Sequence, residues 1–546
     1  MGEKNKNHSF IMQAGILAAA GILCRIIGIL YRSPLTGIIG DEGNGYYSSA
    51  YNIYAIILLV SSYSIPSAIS KVIAQRLALQ EYKNAHRIFR CSLIYVIIVG
   101  GVASLFTYFG AGLLVEEHSV TVLRIFAPTI FLSGLLGVLR GYFQSHKTMV
   151  QTSISQILEQ IANAVISILA AYLLMKSVTG TDSTEQAILG AMGSAMGTGS
   201  GVLIALIFMV CMYLLNRRVI QRRIAKDESK SLLSYRQIFS IIIFMVTPVI
   251  LSTFIYNFST SLNQTIYTKV MKNLDGFTSA QIATSYGIFS GKAVVISNIP
   301  IAIASAISAA MIPNISGTYA RGDIKATNRL VERAIRSTMM IAIPAAVGLF
   351  VLARPVVTLL FPQPESINLA AMLLRGLCVT IVFYSLSTLT NAILQGIGKV
   401  NKPVVNAASA LVVQTIILVV LLLTTDWNLY CLVIATIVYS LLMCVFNQRS
   451  VYKALGYRNE YMKSYVMPFL VSVVMGAVAW GVYQGCYAII ESNVISLVVA
   501  IGLAVIAYFV GILKTGVVSA KELEAMPKGK LLVSIARKLR LIQRRK

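Results

Sequence analysis

The chain has 546 residues, of which 57% are hydrophobic and only 12% charged, yet its formal net charge is +26. The apolar residues gather in runs of about 20 or more, enough for a helix to cross a ~30 Å hydrocarbon layer. That excludes a soluble globular enzyme. It also excludes a nucleic-acid binder, because the basic residues follow the gaps between runs instead of forming one patch.

The first run covers about residues 10–31, after Lys4 and Lys6. Ala18, Ala19, Ala20 and Gly21 mimic a signal-peptidase site, but the run continues apolar past them and carries Arg25, so an uncleaved first span is expected. The next gap holds only Asp41 and Glu42, the third Arg76, Lys83, Arg87 and Arg90, and the fourth Glu116, Glu117 and His118. Further on, Arg217, Arg218, Arg222, Arg223, Lys226, Lys230 and Arg236 share one gap, and Arg321, Lys325, Arg329, Arg333 and Arg336 another. Basic residues in every second gap mark cytoplasmic loops. The expectation is an all-α polytopic protein of the cell membrane, with about fourteen transmembrane helices and both termini cytoplasmic. Strands of a β-barrel would alternate in polarity over ~10 residues, and no run does so.

The gap after the sixth run divides the chain. A six-helix bundle is expected over 1–216, a basic cytoplasmic linker over 217–237 and a second six-helix bundle over 238–457. Two further spans follow in 458–520. In the tail, 521–546, Leu531, Leu532, Ile535, Leu539 and Ile542 share one helical face opposite basic residues, the pattern of a helix lying on an anionic cytoplasmic leaflet. The halves resemble each other: Arg124, Thr129 and Gln144 recur at the same spacing as Arg375, Thr380 and Gln395, and Ile65-Pro66 recurs as Ile299-Pro300. Six spans per half place both halves in the same orientation, as in transporters with parallel repeats, and predict a substrate site between them.

Charge inside apolar runs needs a reason. Arg25 and Arg32 are two helical turns apart on one face of the first span. Lys292 interrupts the eighth run. Lys71, Arg140 and Lys399 close spans at the cytoplasmic end, and Arg124 and Arg375 open spans from the outer side; all five fit topological anchoring. Glu159 is the single carboxylate deep in a run, beside Gln160 and one turn from Gln156, placed either to hold a coupling ion or to pair with Arg140 or Arg25. Asn263 and Gln264 offer hydrogen bonds on the seventh run. Gly190, Gly193, Gly197 and Gly201 form a small-residue stripe suited to close helix packing. The seven cysteines are scattered singly, without metal or redox spacing.

Leu139, Arg140, Gly141, Tyr142, Phe143 and Gln144, followed by His146, Met149, Thr152, Ser155, Gln156, Glu159 and Gln160, resemble the pattern of the multidrug/oligosaccharidyl-lipid/polysaccharide (MOP) exporter superfamily. The nearer match is its branch of MurJ-type lipid II flippases and stage V sporulation protein B-like proteins. Arg25 with Gly28, Gly43 with Tyr46, Pro66 with Lys71, Met311 with Pro313, and Gln395 with Lys399 agree along the chain. Ser64, Ser145 and Gln151 depart from it at backbone turns.

The resemblance implies a flippase, not an enzyme. It would move an undecaprenyl-diphosphate-linked cell-wall precursor, lipid II, from the inner to the outer leaflet by alternating access. It would do so as a monomer without metal or cofactor, driven by Na+, H+ or the membrane potential. The implied partners are that lipid-linked oligosaccharide, anionic lipids and cell-wall synthases. The substrate set expected is Arg25, Arg32, Lys71, Arg140, Glu159, Asn263, Gln264 and Lys292, with a guanidinium suited to gripping diphosphate. The family's basic residue near Lys292 lies about one turn closer to the Ile-Pro pair. Alternatives are export of another lipid-linked oligosaccharide, or cation-coupled drug efflux, which favours an acidic cavity. A membrane-embedded glycosyltransferase would need acids concentrated in a sizeable outer loop, and the outer acids here are spread out.

Overall fold

The computed structural model describes residues 2–517 apart from 64, 147, 179–181, 226, 228–231, 275, 362 and 458–459; the basic helix expected in 521–546 lies outside the described residues. Every regular element among them is helical. Twelve helical stretches among the described residues are long and apolar enough to cross a membrane. The first of these is divided by a break at Gly40, and the helix Tyr235–Asn273 adds 39 residues. The fourteen hydrophobic runs therefore each have a helical counterpart.

The chain divides into two compact units, the first ending at Gly291 and the second beginning at Lys292. The first holds α1 (Gly2–Leu58), α2 (Ile65–Ala78), α3 (Tyr82–Leu114), α4 (Glu117–Ser145), α5 (Val150–Lys176), α6 (Ser183–Ala225), α7 (Tyr235–Asn273) and α8 (Ser279–Ile288). Gly40, with φ 69° and ψ −178°, interrupts α1 in a conformation that costs glycine little. The reversal there is sharp: the Arg32 guanidinium lies 5.6 Å from the Tyr47 ring centre, where a straight helix would separate the two by about 22 Å. Beyond the break, Tyr47, Tyr51 and Tyr54 pack on Phe126 of α4, with Tyr54 and Phe126 stacked at 4.6 Å.

This division differs from the boundary read at the basic segment 217–237. Residues 238–291 pack with the first bundle, for reasons of backbone contact that composition does not announce. A Cβ at Gly45 would collide with the Ala283 backbone of α8, and one at Gly287 would meet the Gly45 nitrogen at 2.8 Å. Ile238 and Ile242 of α7 join the core built from α2, α3, α4 and α6, and Lys272 reaches Glu116 at 3.6 Å. Ser234 and Gln237 form a reciprocal cap at the start of α7, and Thr278 and Gln281 do the same for α8.

The second unit holds α9 (Val294–Ala320), α10 (Ile324–Val351), α11 (Ala353–Leu360), α12 (Pro364–Gly396), α13 (Asn401–Thr424), α14 (Leu429–Leu455), α15 (Met467–Ile490) and α16 (Asn493–Lys514). Its core draws on α9, α10, α12 and α14. The last two helices pack onto α10, and the Tyr508 hydroxyl donates to the Met340 carbonyl at 2.9 Å.

Short π-helical turns occupy Leu59–Tyr63, Phe289–Ala293 and Met462–Val466. Pro66 and Pro468 follow two of them closely and, lacking an N–H, relax the regular ladder. The turn Phe289–Ala293 contains Lys292 and lies at the unit boundary.

Candidate functional site

The polar constellation of the first unit is built by the α4–α5 turn. The Ser145 hydroxyl and His146 Nδ1 donate to the Tyr142 carbonyl at 2.5 and 2.9 Å, and the Thr148 hydroxyl donates to the Phe143 carbonyl at 2.9 Å. These bonds reverse the chain tightly, so the last turns of α4 face the first turns of α5. Arg140 then meets Ser155 and Glu159, which sit one turn apart on one face of α5. Its Nε donates to Ser155 Oγ at 2.9 Å and its Nη2 to Glu159 Oε2 at 2.7 Å. The side chains are 14% and 30% exposed, so the pair is partly shielded from solvent. Neighbours fix both ends: a Cβ on Gly141 would meet the Pro66 carbonyl of α2 at 2.8 Å, and one on Gly201 of α6 would meet the Glu159 carbonyl at 2.6 Å.

One turn beyond Glu159, Asn163 Oδ1 accepts from the Ser167 hydroxyl at 3.0 Å, and its Nδ2 donates to the Tyr31 hydroxyl at 3.4 Å. Gln160 touches α1 opposite Gly28, where a Cβ would approach its amide nitrogen to 3.2 Å. Gln160, Asn163 and Ser167 thus tie α5 to α1 and α6. Sequence reasoning missed Asn163 and Tyr31. The one available signal was the four-residue step from Glu159, and a tyrosine among twenty-seven carries little information by itself.

The other expected residues fall elsewhere. Arg25 is exposed on α1, one residue beyond Cys24, which lies within electrostatic reach of Arg140 and Glu159. Arg32 is half-buried over the Tyr47 ring, a cation–π contact. Lys71 is exposed on α2. Gln264 is buried and accepts from Asn52 Nδ2, which also donates to the Tyr286 hydroxyl at 3.1 Å; Asn263 is buried beside it. Those amides join α7 and α8 to α1. In the second unit, Lys292 is fully buried and donates to Ser366 Oγ of α12 at 2.5 Å. Arg124 donates to the Tyr108 carbonyl at 3.4 Å, in keeping with an anchor. Among the described residues, no group of three or more histidine, cysteine or acidic side chains is arranged to hold a metal ion.

The stripe on α6 packs as its small residues predict. Cβ atoms on Gly193 and Gly197 would collide with the backbone of Ala171 and Ser167 on α5. The two helices therefore touch backbone to backbone, with no room for a substrate there.

The chain matches the family described as "Polysaccharide biosynthesis protein" over residues 11–318 and the MatE family over 291–421. It is 24% identical to the lipid II flippase MurJ of Bacillus subtilis (strain 168), across 84% of this chain and 86% of that one. It is also 24% identical to stage V sporulation protein B of the same organism, across 87% and 90%. Its fold is similar to that of the lipid II flippase MurJ solved in the inward closed conformation, with TM-score 0.62 and 14% identity over 91% of this chain and 97% of that one. The MatE match begins at residue 291, one residue before the second unit.

Proposed function

The chain belongs to the polysaccharide biosynthesis protein family of the MOP superfamily, and from that premise we propose that it flips a diphosphate-linked sugar lipid, lipid II, from the inner to the outer leaflet by alternating access. The observation that carries this reading is the Arg140–Glu159 pair. It engages the one carboxylate deep in an apolar run, while Arg25 and Arg32 place two guanidinium groups on α1 of the same unit. A pump for organic cations needs the opposite balance. A diphosphate needs guanidinium forks, and Arg25, exposed on α1, is the residue assigned to it. With Glu159 held as an ion pair, we assign the driving force to the membrane potential: carrying a negative headgroup outward from a negative interior gains about 2.3 kcal/mol per charge per 100 mV. We further propose that both termini are cytoplasmic, so in a cysteine-free background an impermeant thiol reagent should label Asn428→Cys in sealed cells and spare Lys325→Cys.

The test is depletion in intact cells. Lipid II reachable from outside should fall when the protein is depleted, recover with the wild type, and stay low with Arg25→Ala although that variant inserts at normal level. Arg25→Lys should recover in part, keeping charge but losing the fork. Undiminished outer-leaflet lipid II on depletion would refute the assignment.

A further inference from the structure

The positive-inside pattern disfavours arginine at the outer ends of spans, so any that persist there need a cause. In the second unit, α10 runs from the basic cluster around Lys325–Arg336 to Val351, and Arg354 follows at the opposite end. There, α10, α11, α12, α15 and α16 enclose a cleft of about 570 Å³ that Arg354 and Arg375 both line. Both arginines are exposed, no acidic side chain lines the cleft, and among the described residues neither has a carboxylate within ion-pair distance. Arg375 lies about 16 Å along α12 from Pro364, and Trp480 about 15 Å along α15 from Ile490. A cation at that depth on an apolar helix is costly unless an anion reaches it.

The walls are preformed. The Tyr483 hydroxyl donates to Asn493 Oδ1 at 2.9 Å, Asn493 Nδ2 donates to the Pro355 carbonyl at 3.1 Å, and the Tyr483 and Tyr487 rings stack at 5.7 Å. Trp480 and Tyr487 are exposed, beside exposed apolar residues such as Val473, Val474 and Val494 that face hydrocarbon once the helices span a bilayer. The cleft therefore combines a cationic floor, an aromatic flank and lateral access from lipid.

We propose that this cleft binds the phosphate of an anionic lipid headgroup from the leaflet opposite the basic loops, with Arg354 and Arg375 as its phosphate ligands and Trp480, Tyr483 and Tyr487 flanking the glycerol and chains. Guanidinium forks suit phosphate oxygens, and the aromatic wall suits the amphipathic region below them. The site lies within the second unit and does not depend on the flipping of lipid II.

The chain has two tryptophans, Trp427 and Trp480, so Trp427→Phe leaves one reporter inside the cleft. The full-length Trp427→Phe protein, reconstituted in vesicles, is titrated with brominated phosphatidylglycerol or brominated phosphatidylcholine while Trp480 fluorescence is read. Quenching by the anionic lipid should reach half-effect at a concentration on the order of thirtyfold lower, the worth of two arginines near a membrane surface. Arg354→Gln with Arg375→Gln should abolish that preference, and the paired lysine variant should keep part of it. Equal quenching by both lipids in the parent would show only an interfacial aromatic anchor and overturn the proposal; this comparison needs no arginine variant to fold. Survival of the preference in the glutamine pair would overturn it too. Displacement of the lipid by millimolar inorganic phosphate would assign the cleft to a free anion and overturn the lipid assignment.

Discussion

The two units carry the same helical punctuation and different chemistry. Helix α4 ends at Ser145 and α5 begins at Val150; α12 ends at Gly396 and α13 begins at Asn401, at the spacing that also relates Gln144 to Gln395. Carried along that spacing, Arg140 corresponds to Asn391, Ser155 to Asn406 and Glu159 to Ala410. Where the first unit has an ion pair, the second has neutral amides. Asn391 accepts from Gln395 at 3.0 Å within α12, and Asn406 donates to Asn447 of α14 at 2.9 Å. Packing differs in the same sense: α6 offers glycines to α5, whereas neither α13 nor α14 contains one. A repeated scaffold need not repeat its charges.

The sharpest way to break this comparison is at the glycine seam of α5 and α6, which has no counterpart on α13 and α14. In Gly197→Val the added methyls would have to enter the Ser167 backbone of α5. Overpacking costs ~1–3 kcal/mol where side chains yield, and more where backbone must move. Little monodisperse protein should be recovered by size-exclusion chromatography. Normal yield would mean that α5 and α6 are not in backbone contact.

The ion pair gives the next largest effect. Glu159→Gln keeps the volume but removes the charge facing Arg140. Losing one member of a fully buried pair costs ~3–5 kcal/mol. With Arg140 14% and Glu159 30% exposed, about 1.5–3 kcal/mol is expected, the range for hydrogen bonds to charged groups. The melting temperature in detergent should drop, and Arg140→Gln added to Glu159→Gln should cost less than the two singles together. An unchanged melting temperature with flipping abolished would reassign Glu159 from holding Arg140 to coupling transport.

How far the sequence led can be judged on these same residues. Membrane class and helix number follow from hydrophobic length and need no tertiary information. The glycine stripe was legible because helical spacing alone places four small residues on one face. Arg140 and Glu159 were singled out because isolated charges in apolar runs are conspicuous. Their joining was one of three arrangements open to Glu159, and the turn that joins them depends on His146 and Thr148 capping α4. The allegiance of α7 and α8 was not legible: it rests on Gly45 and Gly287 touching backbone two hundred residues away, and a glycine does not name its neighbour. Nor did Lys292 announce that Ser366 receives it, or Arg375 that it shares a cleft with Arg354.

Smaller effects sharpen the comparison from the second unit. Asn447 is fully buried, accepts from Asn406 and approaches Ser387 at 3.4 Å. Asn447→Ala should cost about 0.5–1.5 kcal/mol for the bond, since the Asn406 amide keeps its second acceptor, Ser450 Oγ at 3.0 Å. Measured by thermal unfolding beside Glu159→Gln, it should be the milder lesion. A cost equal to or above that of Glu159→Gln would remove the distinction drawn between charged and neutral seams.

The smallest expected effect concerns pH and again separates the units, because His146 at the α4–α5 turn corresponds by spacing to Ile397 at the α12–α13 turn. His146 lies outside the membrane-spanning stretches. Burial pushes its imidazole below the ordinary value of 6.5, the positive charge of Arg223 adds to that, and the bond to the Tyr142 carbonyl opposes it. The folded protein therefore holds this proton less readily than the unfolded chain. Stability is full above the unfolded value and is lost as pH falls through it toward the folded one. Melting temperature should accordingly fall slightly between pH 8 and pH 5.5. His146→Asn, whose amide can still donate toward the Tyr142 carbonyl, should flatten that dependence while Ile397→Val leaves it in place. A slope unaltered in His146→Asn would place the titrating group elsewhere and leave the two turns equivalent in their response to acid.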